Sequence, residues 1–425
     1  MRELRVIHFA DLHLGVEAGG RPNPETGLNQ RIHDVCDRLD ELCRVAEDEE
    51  VDAVLFAGDA FKNQHPSPTL QNLFARRIRR LARSGAAVFL LVGNHDLPRS
   101  AGLAHPFSIY DALETENVVV GDRAAVYPLK LRSGGVLNVA AIPHFSRHDA
   151  LAQLSEDFDG DVDDVIRRTF HETVHRLRGE CEQPAVFVGH IHVPQADTGQ
   201  TRDMFGVSDV EVSLNDLVSG SPFAYHALGH LHKRQVLSPE PFAAYSGSLE
   251  RVDFGEGERA DVTATGVTRR EADPKGFFRF DLTGDGRLTA EPEFREVHAR
   301  PFVTLRVGDL GRDDPLADLE VRLRAARDAG VPLPNAFVKI IGRTAATDRQ
   351  RITRSAVRTL VPEAYDARIV LESDDEQAPM RDPRFAEPMS EYDALLKFVE
   401  TREDWAGERD EILRLGRELI DEVLA

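Results

Sequence analysis

Carboxylate, amide and imidazole side chains are concentrated in a few short fragments of this 425-residue chain. In chain order the fragments are "DLHLG" from Asp11, "GDAF" around Asp59, "GNHD" from Gly93, and two Gly-His-x-His elements. Each fragment follows a short apolar run, as expected for a loop at the end of a buried strand. Oxygen and imidazole donors without thiolates suit manganese, iron or zinc better than magnesium alone. These residue types therefore predict a divalent metal site.

The two Gly-His-x-His elements, "VGHIHVPQ" (188–195) and "LGHLHKRQ" (228–235), are near copies of each other. In extended backbone, residues i and i+2 lie on the same face. His230 and His232 can therefore each reach one of two cations about 3.5–4 Å apart, the usual separation in two-metal hydrolases. We assign only His190 from the first element, because it directly ends an apolar strand. His192 is then not expected to bind a metal ion, and at most contacts a residue that does.

Each fragment taken alone has an ordinary structural explanation. Asp-x-His is common by chance, Gly-Asp is usually a turn, and a single histidine on an apolar strand is usually a core residue. A motif is a hypothesis that its structural context must support. Five fragments in this order, all at predicted strand ends, favour the metal site.

The elements that position these side chains are predicted to be parallel strands. The apolar runs "LRVIHFA", "DAVLFAG" and "AAVFLLVG" alternate with helix-like segments at 30–47 and 69–83, which indicates a βαβαβ unit covered on both faces. Ligands gather at the carboxyl ends of such strands. The first three fragments occupy those ends, and later strand candidates suggest a second sheet packed on the first.

We expect an α/β fold with four regions. The first domain spans 1–290 and includes a polar segment, 255–276, predicted to be a mobile loop. A small α/β domain follows at 296–372, and an acidic, proline-containing linker at 373–389. Residues 390–425 are predicted to form two amphipathic helices, and docking on this chain is as compatible with their pattern as docking on a partner.

Composition and charge indicate which cellular environment and which partners to expect. Three cysteines without C-x-x-C spacing argue against a disulfide framework. No signal peptide or membrane-spanning run is visible, so we expect a soluble cytoplasmic protein. The net charge of −21 disfavours a polyanionic partner on average. Residues 321–370, however, contain ten basic and four acidic side chains, a balance of +6.

The series D-x-H, G-D, G-N-H-D, G-H and G-H-x-H resembles the calcineurin-like metallophosphoesterases. The contexts "HALGHLHKRQ" and "YSGSLERVDFGE" resemble, more specifically, the SbcD family of bacterial double-strand-break repair nucleases. This resemblance implies a two-sheet metallophosphoesterase sandwich flanked by helices, with a small α/β capping domain and C-terminal helices.

The resemblance also implies roles for individual residues. One metal ion is expected to bind Asp11, His13 and His232, a second Asn94, His190 and His230, and Asp59 is expected to bridge them. His95 matches the catalytic histidine of the family, and Asp96 is expected to orient it. Relatives with a second functional histidine after Gly-Asp differ from this chain, which has Lys62 there.

The implied activity is metal-dependent DNA hydrolysis, as a 3′-to-5′ exonuclease and single-strand endonuclease, with two divalent ions, preferably Mn²⁺. The expected partners are DNA, a second copy of the chain joined through the nuclease domain, and an SbcC-type ATPase bound by the C-terminal helices. Lys62, Arg343, Arg351 and Arg354 are candidates for DNA contacts.

Two alternative functions are compatible with these residues. A different dinuclear metallophosphoesterase, such as a phosphoprotein phosphatase or a cyclic-nucleotide phosphodiesterase, would use the same ligands, although a small substrate would not need the basic domain and helical tail. A metal-dependent scaffolding protein without turnover is the other alternative, and the intact His95 argues against it.

Overall fold

The computed structural model describes residues 3–98, 103–145, 162–198, 210–263, 266–311 and 313–372, together with 396, 399, 409 and 412–417. The predicted linker, 373–389, lies outside the described residues. Only a few positions of the predicted C-terminal helices, 390–425, are described, so their packing stays a prediction. Within the described ranges, no helix has the length and apolarity needed to cross a membrane.

The first sheet carries the predicted βαβαβ unit. Its strands are β1 (Leu4–Phe9), β2 (Ala53–Phe56), β3 (Ala87–Leu91), β4 (Val118–Gly121), β13 (Gly276–Leu282) and β14 (Glu293–Glu296), in the order β14-β13-β1-β2-β3-β4. β1 to β4 are parallel, and β13 pairs antiparallel with β1. Helices α1 (Gln30–Asp48) and α2 (Pro68–Arg83) connect the first three strands, close to the predicted helical segments.

The ends of these two helices follow from local sequence. Asn29 caps α1, since its side chain accepts a hydrogen bond from the backbone N–H of Arg31. Ser67 caps α2 in the same way, and Pro68 occupies the first helical position, where no N–H is needed. α1 begins beyond the Asp11–His13 loop, and α2 begins beyond the Asp59 loop.

The second sheet packs against the first. Its strands are β5 (Ala125–Lys130), β6 (Val136–Ile142), β7 (Ala185–His190), β8 (Tyr225–Gly229), β9 (Gln235–Pro239) and β10 (Phe242–Tyr245), in the order β5-β6-β7-β8-β10-β9. β6, β7, β8 and β10 are parallel. The core between the sheets contains Val6, Leu55 and Phe89 from the first and Val139 and Val188 from the second, all fully buried.

Helices cover the outer faces of this two-sheet sandwich. α1 and α2 bury their apolar residues on the first sheet. α4 (Val162–Glu180) and α5 (Leu214–Val218) do the same on the second sheet, and a short helix, α3 (Ser108–Ala112), precedes β4. Each fully buried large apolar side chain contributes about 1.5–3 kcal/mol, which holds the strand ends in register. The architecture confirms the predicted α/β sandwich.

A third sheet forms the core of the small α/β domain. Its strands are β11 (Glu258–Thr263), β12 (Gly266–Arg270), β15 (Phe302–Asp309), β16 (Phe337–Arg343) and β17 (Asp366–Glu372), in the order β12-β11-β15-β16-β17. Helices α6 (Pro315–Asp328) and α7 (Arg354–Leu360) share its apolar core. A 3-10 helix, Ala346–Arg351, leads into α7.

The prediction of a mobile loop at 255–276 is wrong. Residues 258–263 and 266–270 form a β-hairpin, and β11 pairs in parallel with β15 of the small domain. By strand pairing this hairpin belongs to the third sheet, although it lies within the range predicted for the first domain. The division of the chain at 290–296 remains a proposal.

Buried charges join the third sheet to α1. Arg31 is almost fully buried, with its guanidinium carbon 4.7 Å from the centre of the Phe302 ring. Arg300 makes a 2.6 Å contact with the carboxylate of Asp34, which is also buried. These contacts hold the small domain close to the helix that follows the first metal-site loop.

The three cysteines are free thiols. Cys36 and Cys43 are buried in the first domain and Cys181 is partly buried. Burial raises the thiol pKa to about 11 for Cys36, about 12 for Cys43 and about 11 for Cys181. Thiols with such raised pKa values are unreactive at neutral pH, and free thiols agree with the expected absence of a disulfide framework.

Candidate metal centre

The predicted ligands lie at the carboxyl ends of five strands, three in the first sheet and two in the second. They are Asp11 and His13 after β1, Asp59 after β2, Asn94 after β3, His190 at the end of β7, and His230 and His232 after β8. The carboxyl ends of parallel strands meet at one edge of a sheet. Packing of the two sheets then brings both edges together in one buried cluster.

Several of these residues have strained backbone conformations. Four of the eight non-glycine residues with positive φ in the described ranges are predicted ligands: Asp11 (53°), His13 (45°), Asp59 (62°) and His230 (105°). Such conformations cost on the order of 1–3 kcal/mol each and persist where surrounding structure enforces them. Their concentration here is typical of a functional site.

Two glycines allow close approach of the loops. A Cβ at Gly93 would lie 2.2 Å from Oδ1 of Asp59, and one at Gly58 would lie 2.3 Å from Nδ1 of His190. Gly58 also has φ of +100°, which disfavours any side chain. The glycines of the G-D and G-N-H-D fragments are therefore required by packing against the ligands.

The first donor group comprises Asp11, His13 and His232. One donor atom of each lies within 4.8 Å of the others, and all three residues are buried. Nε2 of His13 is buried and makes no hydrogen bond to any residue in the described ranges. An unpartnered buried nitrogen is costly, and coordination of a cation would satisfy it. These residues fit a divalent ion.

The second donor group comprises Asn94, His190 and His230. Oδ1 of Asn94 lies 2.9 Å from Nε2 of His190 and 3.2 Å from Nδ1 of His230. Ligand atoms about 2.1 Å from a common ion are roughly 3.0 Å apart in octahedral geometry and roughly 3.4 Å apart in tetrahedral geometry. Both distances from Oδ1 of Asn94 therefore match the spacing of ligands to a second ion.

Asp59 lies between the two groups. Its Oδ2 is 3.7 Å from Nε2 of His13 and 3.5 Å from Nε2 of His190. Its Oδ1 accepts a hydrogen bond of 2.9 Å from the backbone N–H of His95. One carboxylate oxygen thus faces both groups, as the bridging role predicted from the family resemblance requires.

Hydrogen bonds orient two of the imidazoles. Nδ1 of His190 lies 2.7 Å from the carbonyl oxygen of Ala57, and Nδ1 of His232 lies 2.9 Å from Oε1 of Glu256. A carbonyl oxygen only accepts, so Nδ1 of His190 carries the proton and Nε2 is left as the ligand atom. Metal-binding histidines commonly have such a partner, which fixes the tautomer and ring orientation.

Glu256 was not identified from the sequence. It is 4% exposed, and its Oε2 is 2.6 Å from Nζ of Lys275, which is 2% exposed. Lys275 also donates to Oγ of Ser248 (2.8 Å) and to the carbonyl oxygen of His232 (2.9 Å). Both ends of the β11–β12 hairpin are therefore attached to a predicted ligand. The sequence feature that could have indicated this role is the acidic Glu256 and the basic Lys275 on either side of the 258–270 segment.

Opposing charges control the pKa values of the cluster. Burial raises the pKa of Asp11 to about 6, against the effect of the nearby histidines. Burial acts in the same direction on Asp59, but the charge and contact of His190 hold its pKa well below the usual range. Burial lowers the pKa of His190, and Asp59 outweighs this and raises it to about 9. The buried carboxylates thus depend on nearby positive charge, which metal ions supply when the imidazoles are neutral ligands.

His95 lies at the rim of the first donor group. Its ring is partly buried and 4.8 Å from that of His13, measured between ring centres. Its Nδ1 donates to the carbonyl oxygen of Lys62, 2.8 Å away. This contact orients the imidazole, and the exposed side chain of Lys62 lies on the same loop.

The expectation that Asp96 orients His95 is not met by the geometry. The Asp96 carboxylate is fully buried and accepts backbone hydrogen bonds from Asp59 (2.9 Å), Ala60 (3.1 Å) and Gly93 (3.2 Å). A buried carboxyl group requires such donors, and the amides of the neighbouring loop provide them. Asp96 therefore positions the loop of the bridging carboxylate, while the carbonyl of Lys62 orients His95.

The predicted DNA-contact arginines lie on the small domain. Arg343 ends β16 and contacts Asp309 (3.1 Å), Arg351 contacts Asp348 (3.4 Å), and Arg354 begins α7 and contacts Asp366 (3.0 Å). Arg343 and Arg354 are more than half exposed. They remain accessible to a phosphate backbone, although each already has an acidic neighbour.

Comparison with known proteins places the site in a family. A family model described as calcineurin-like phosphoesterase matches residues 4–234, more than half of the chain. The SbcD component of nuclease SbcCD from Bacillus subtilis is 29% identical over 266 residues, which cover 60% of this chain and 63% of that protein, less than two thirds of its length. The Escherichia coli K12 protein of the same name is 25% identical over 409 residues, covering 89% of this chain and 96% of that protein.

An archaeal relative extends the comparison. "DNA double-strand break repair protein Mre11" of Sulfurisphaera tokodaii is 24% identical over 243 residues, covering 56% of this chain and 51% of that protein. These relatives confirm the resemblance inferred from the strand-end motifs. The matched region, 4–234, contains all of the predicted ligands from Asp11 to His232. The chain is therefore a member of the calcineurin-like phosphoesterase family of metal-dependent enzymes.

Proposed function

We propose that this protein is a metal-dependent DNA nuclease of double-strand-break repair, acting as a 3′-to-5′ exonuclease and a single-strand endonuclease. The observation that carries the proposal is the pair of donor groups on either side of Asp59. The similarity to the SbcD component of nuclease SbcCD from Escherichia coli, over 96% of that protein, supports nuclease activity. The similarity to the DNA repair protein Mre11 supports DNA as the substrate.

Two divalent ions, which we propose to be Mn²⁺, are assigned to the donor groups. Asp11, His13 and His232 would hold one ion, and Asn94, His190 and His230 would hold the other, with Asp59 between the two groups. When bound, the ions neutralise phosphate charge and activate water. Mixed carboxylate, amide and imidazole donors suit Mn²⁺.

Residues of the chain supply the remaining chemistry. The Lys62 carbonyl holds His95 by its Nδ1, so Nε2 is the ring nitrogen available to the substrate. Because Nδ1 keeps its proton in this contact, Nε2 carries a proton only in the imidazolium form. In that form His95 is placed to protonate the departing sugar oxygen or to stabilise charge on the phosphoryl group. Asp96 holds the backbone of Asp59 and Gly93 in place, which keeps the bridging carboxylate aligned.

We propose that the small domain contacts the DNA backbone. Arg343, Arg351 and Arg354, with Lys62 near the active site, are the candidate residues. The local balance of +6 over 321–370 favours phosphate binding despite the overall charge of −21. Binding requires the arginines to exchange their carboxylate neighbours for phosphate oxygens.

Two protein partners complete the proposal. An SbcC-type ATPase binds the amphipathic C-terminal region, 390–425. A second copy of the chain joins through the nuclease domain. Leu103, Ile109 and Leu113 are 58%, 51% and 70% exposed on the segment around α3, and exposed apolar patches mark interaction surfaces. We place the assembly in the cytoplasm.

The decisive experiment compares substrates. Purified protein is incubated in Mn²⁺ with linear, hairpin and plasmid DNA and with a small phosphate monoester, with and without a candidate ATPase. The proposal predicts DNA cleavage that requires Mn²⁺ and Asp59. Hydrolysis of the monoester without DNA cleavage favours a phosphatase, and binding without hydrolysis of either favours a scaffolding role.

A further inference from the structure

A histidine outside the predicted set lies beside the second donor group. His144 follows β6, two residues beyond its end. Its ring centre is 5.9 Å from that of His230, with an angle of 26° between the planes, and 6.1 Å from that of His190. The fragment "AIPHF" lacks the Gly-His pattern, so motif spacing provided no reason to select it. A sixth strand end thus contributes to the site.

The backbone fixes the position of His144. Its N–H donates to the carbonyl oxygen of Val92, at 3.3 Å, two residues before Asn94. The side chain is partly buried, as is that of His95, whereas the histidines assigned as ligands are buried. His144 therefore lies at the rim of the cluster and belongs to neither donor group.

The two rim histidines lie beside different donor groups. His95 is next to His13 of the first group, and His144 is next to His190 and His230 of the second. Each donor group therefore has one partly buried imidazole beside it at the rim of the cluster.

We propose that His144 is a further catalytic residue, which donates an N–H to a substrate phosphate oxygen on the side of the centre formed by Asn94, His190 and His230. The proposal rests on the proposed phosphodiesterase function. A neutral imidazole has one N–H, so the contact uses the tautomer whose proton is on the nitrogen that faces the substrate. Loss of one donor to developing phosphate charge lowers kcat by about 10²–10³-fold.

The test uses the full chain, Mn²⁺, and two substrates, linear DNA and bis(p-nitrophenyl) phosphate. H144Q is compared with H192Q, a matched control. The ring centre of His192 is 6.1 Å from that of His230, close to the 5.9 Å of His144. The backbone of His192 bridges to Glu211, and His192 belongs to neither donor group. We expect H144Q to lose about 10²–10³-fold in kcat, with KM less affected and two Mn²⁺ retained per chain. H192Q should retain both activity and metal.

Each other outcome overturns the inference. Unchanged kcat in H144Q excludes a catalytic contact, and loss of an ion makes His144 a ligand or a structural residue. Equal losses in H144Q and H192Q indicate general disturbance around His230. If circular dichroism shows that H144Q does not fold, H144N is tested against the same criteria. Wild-type protein inactive on both substrates refutes the proposed function itself, whereas an active wild type with an equally active H144Q refutes only the role of His144.

Discussion

Replacing Glu256 by Gln removes the charge that contacts His232 and nearly preserves the shape of the side chain. Glutamine still offers an oxygen to Nδ1 of His232, so the ring can keep its orientation. What is lost is the negative charge that makes the imidazole a stronger ligand. The substitution therefore separates orientation of the ligand from its electrostatic support.

The expected magnitude follows from these contacts. Removing a residue that supports a metal ligand typically costs about 10–100-fold in metal affinity. Because the hydrogen bond to His232 is retained, we expect a loss of about tenfold in Mn²⁺ affinity, or about 1.4 kcal/mol.

The substitution also affects stability, because Lys275 loses its carboxylate partner, 2.6 Å away in a buried position. Breaking a buried pair costs about 3–5 kcal/mol, and the remaining contacts of Lys275 with Ser248 and His232 favour the lower value.

Calorimetric titration with Mn²⁺ and urea denaturation measure the two effects. E256Q should weaken one of two binding events and lower the free energy of unfolding. E258Q is the matched control, because Glu258 is also buried but contacts Arg269 (2.7 Å), away from the ligands. It should lower stability and leave Mn²⁺ affinity unchanged. E256Q/K275M, which removes the uncompensated charge, should regain stability without regaining affinity.

Either of two results would contradict the support of His232 by the Glu256 carboxylate. Wild-type affinity for both ions in E256Q would show that the carboxylate does not support His232. An equal loss of affinity in E258Q would show that general destabilisation of the hairpin, and no specific contact, weakens the site.

Three further predictions concern the remaining site and the domain contact. H95Q should bind two Mn²⁺ but lose about 10²–10⁴-fold in turnover, and unchanged activity rejects its assigned role. D96N should lower the free energy of unfolding by about 1–3 kcal/mol for a backbone amide left unpaired, measured by urea denaturation; wild-type stability would contradict the loop contacts. Burial raises the pKa of Asp34, but contact with Arg300 outweighs this and lowers it. Ionised Asp34 therefore stabilises the fold above its unfolded pKa of about 3.9, and this stabilisation is lost as pH falls through the lower folded pKa. The stability difference between wild type and D34N should be full at pH 7 and shrink in acid; an equal difference throughout refutes the contribution.

The sandwich and the ligand cluster were predictable because both depend on local patterns. The apolar runs before Asp11, Asp59 and Asn94 identify parallel strands, and parallel strands bring their carboxyl ends together. Likewise, His190 ends its strand directly. Short-range sequence therefore sufficed to place these side chains near one another.

The hairpin at 258–270 was missed because its stabilising contacts are distant in sequence. Glu258, Ala260 and Val262 alternate with less buried residues along β11, but polar neighbours obscure this period-two pattern. The strand is completed by pairing with β15, from Glu258 opposite Val303. Nothing in the local sequence specifies that partner.

The contacts of Asp96 differ from its predicted role, and Glu256 was not predicted at all. The two cases have a related cause. Adjacency to His95 suggested an orienting role for Asp96, yet its buried carboxylate meets the amides of a loop some 36 residues away. Glu256 follows no apolar run, and its contact with His232 depends on how the hairpin returns to the site. Tertiary packing, and not motif spacing, determines both roles.

Anomalous diffraction from crystals equilibrated with Mn²⁺ tests the central claim most directly. We expect two manganese peaks, one bound by Asp11, His13 and His232 and the other by Asn94, His190 and His230, with the Asp59 carboxylate between them. A single peak, or none at saturating Mn²⁺, would contradict a dinuclear centre.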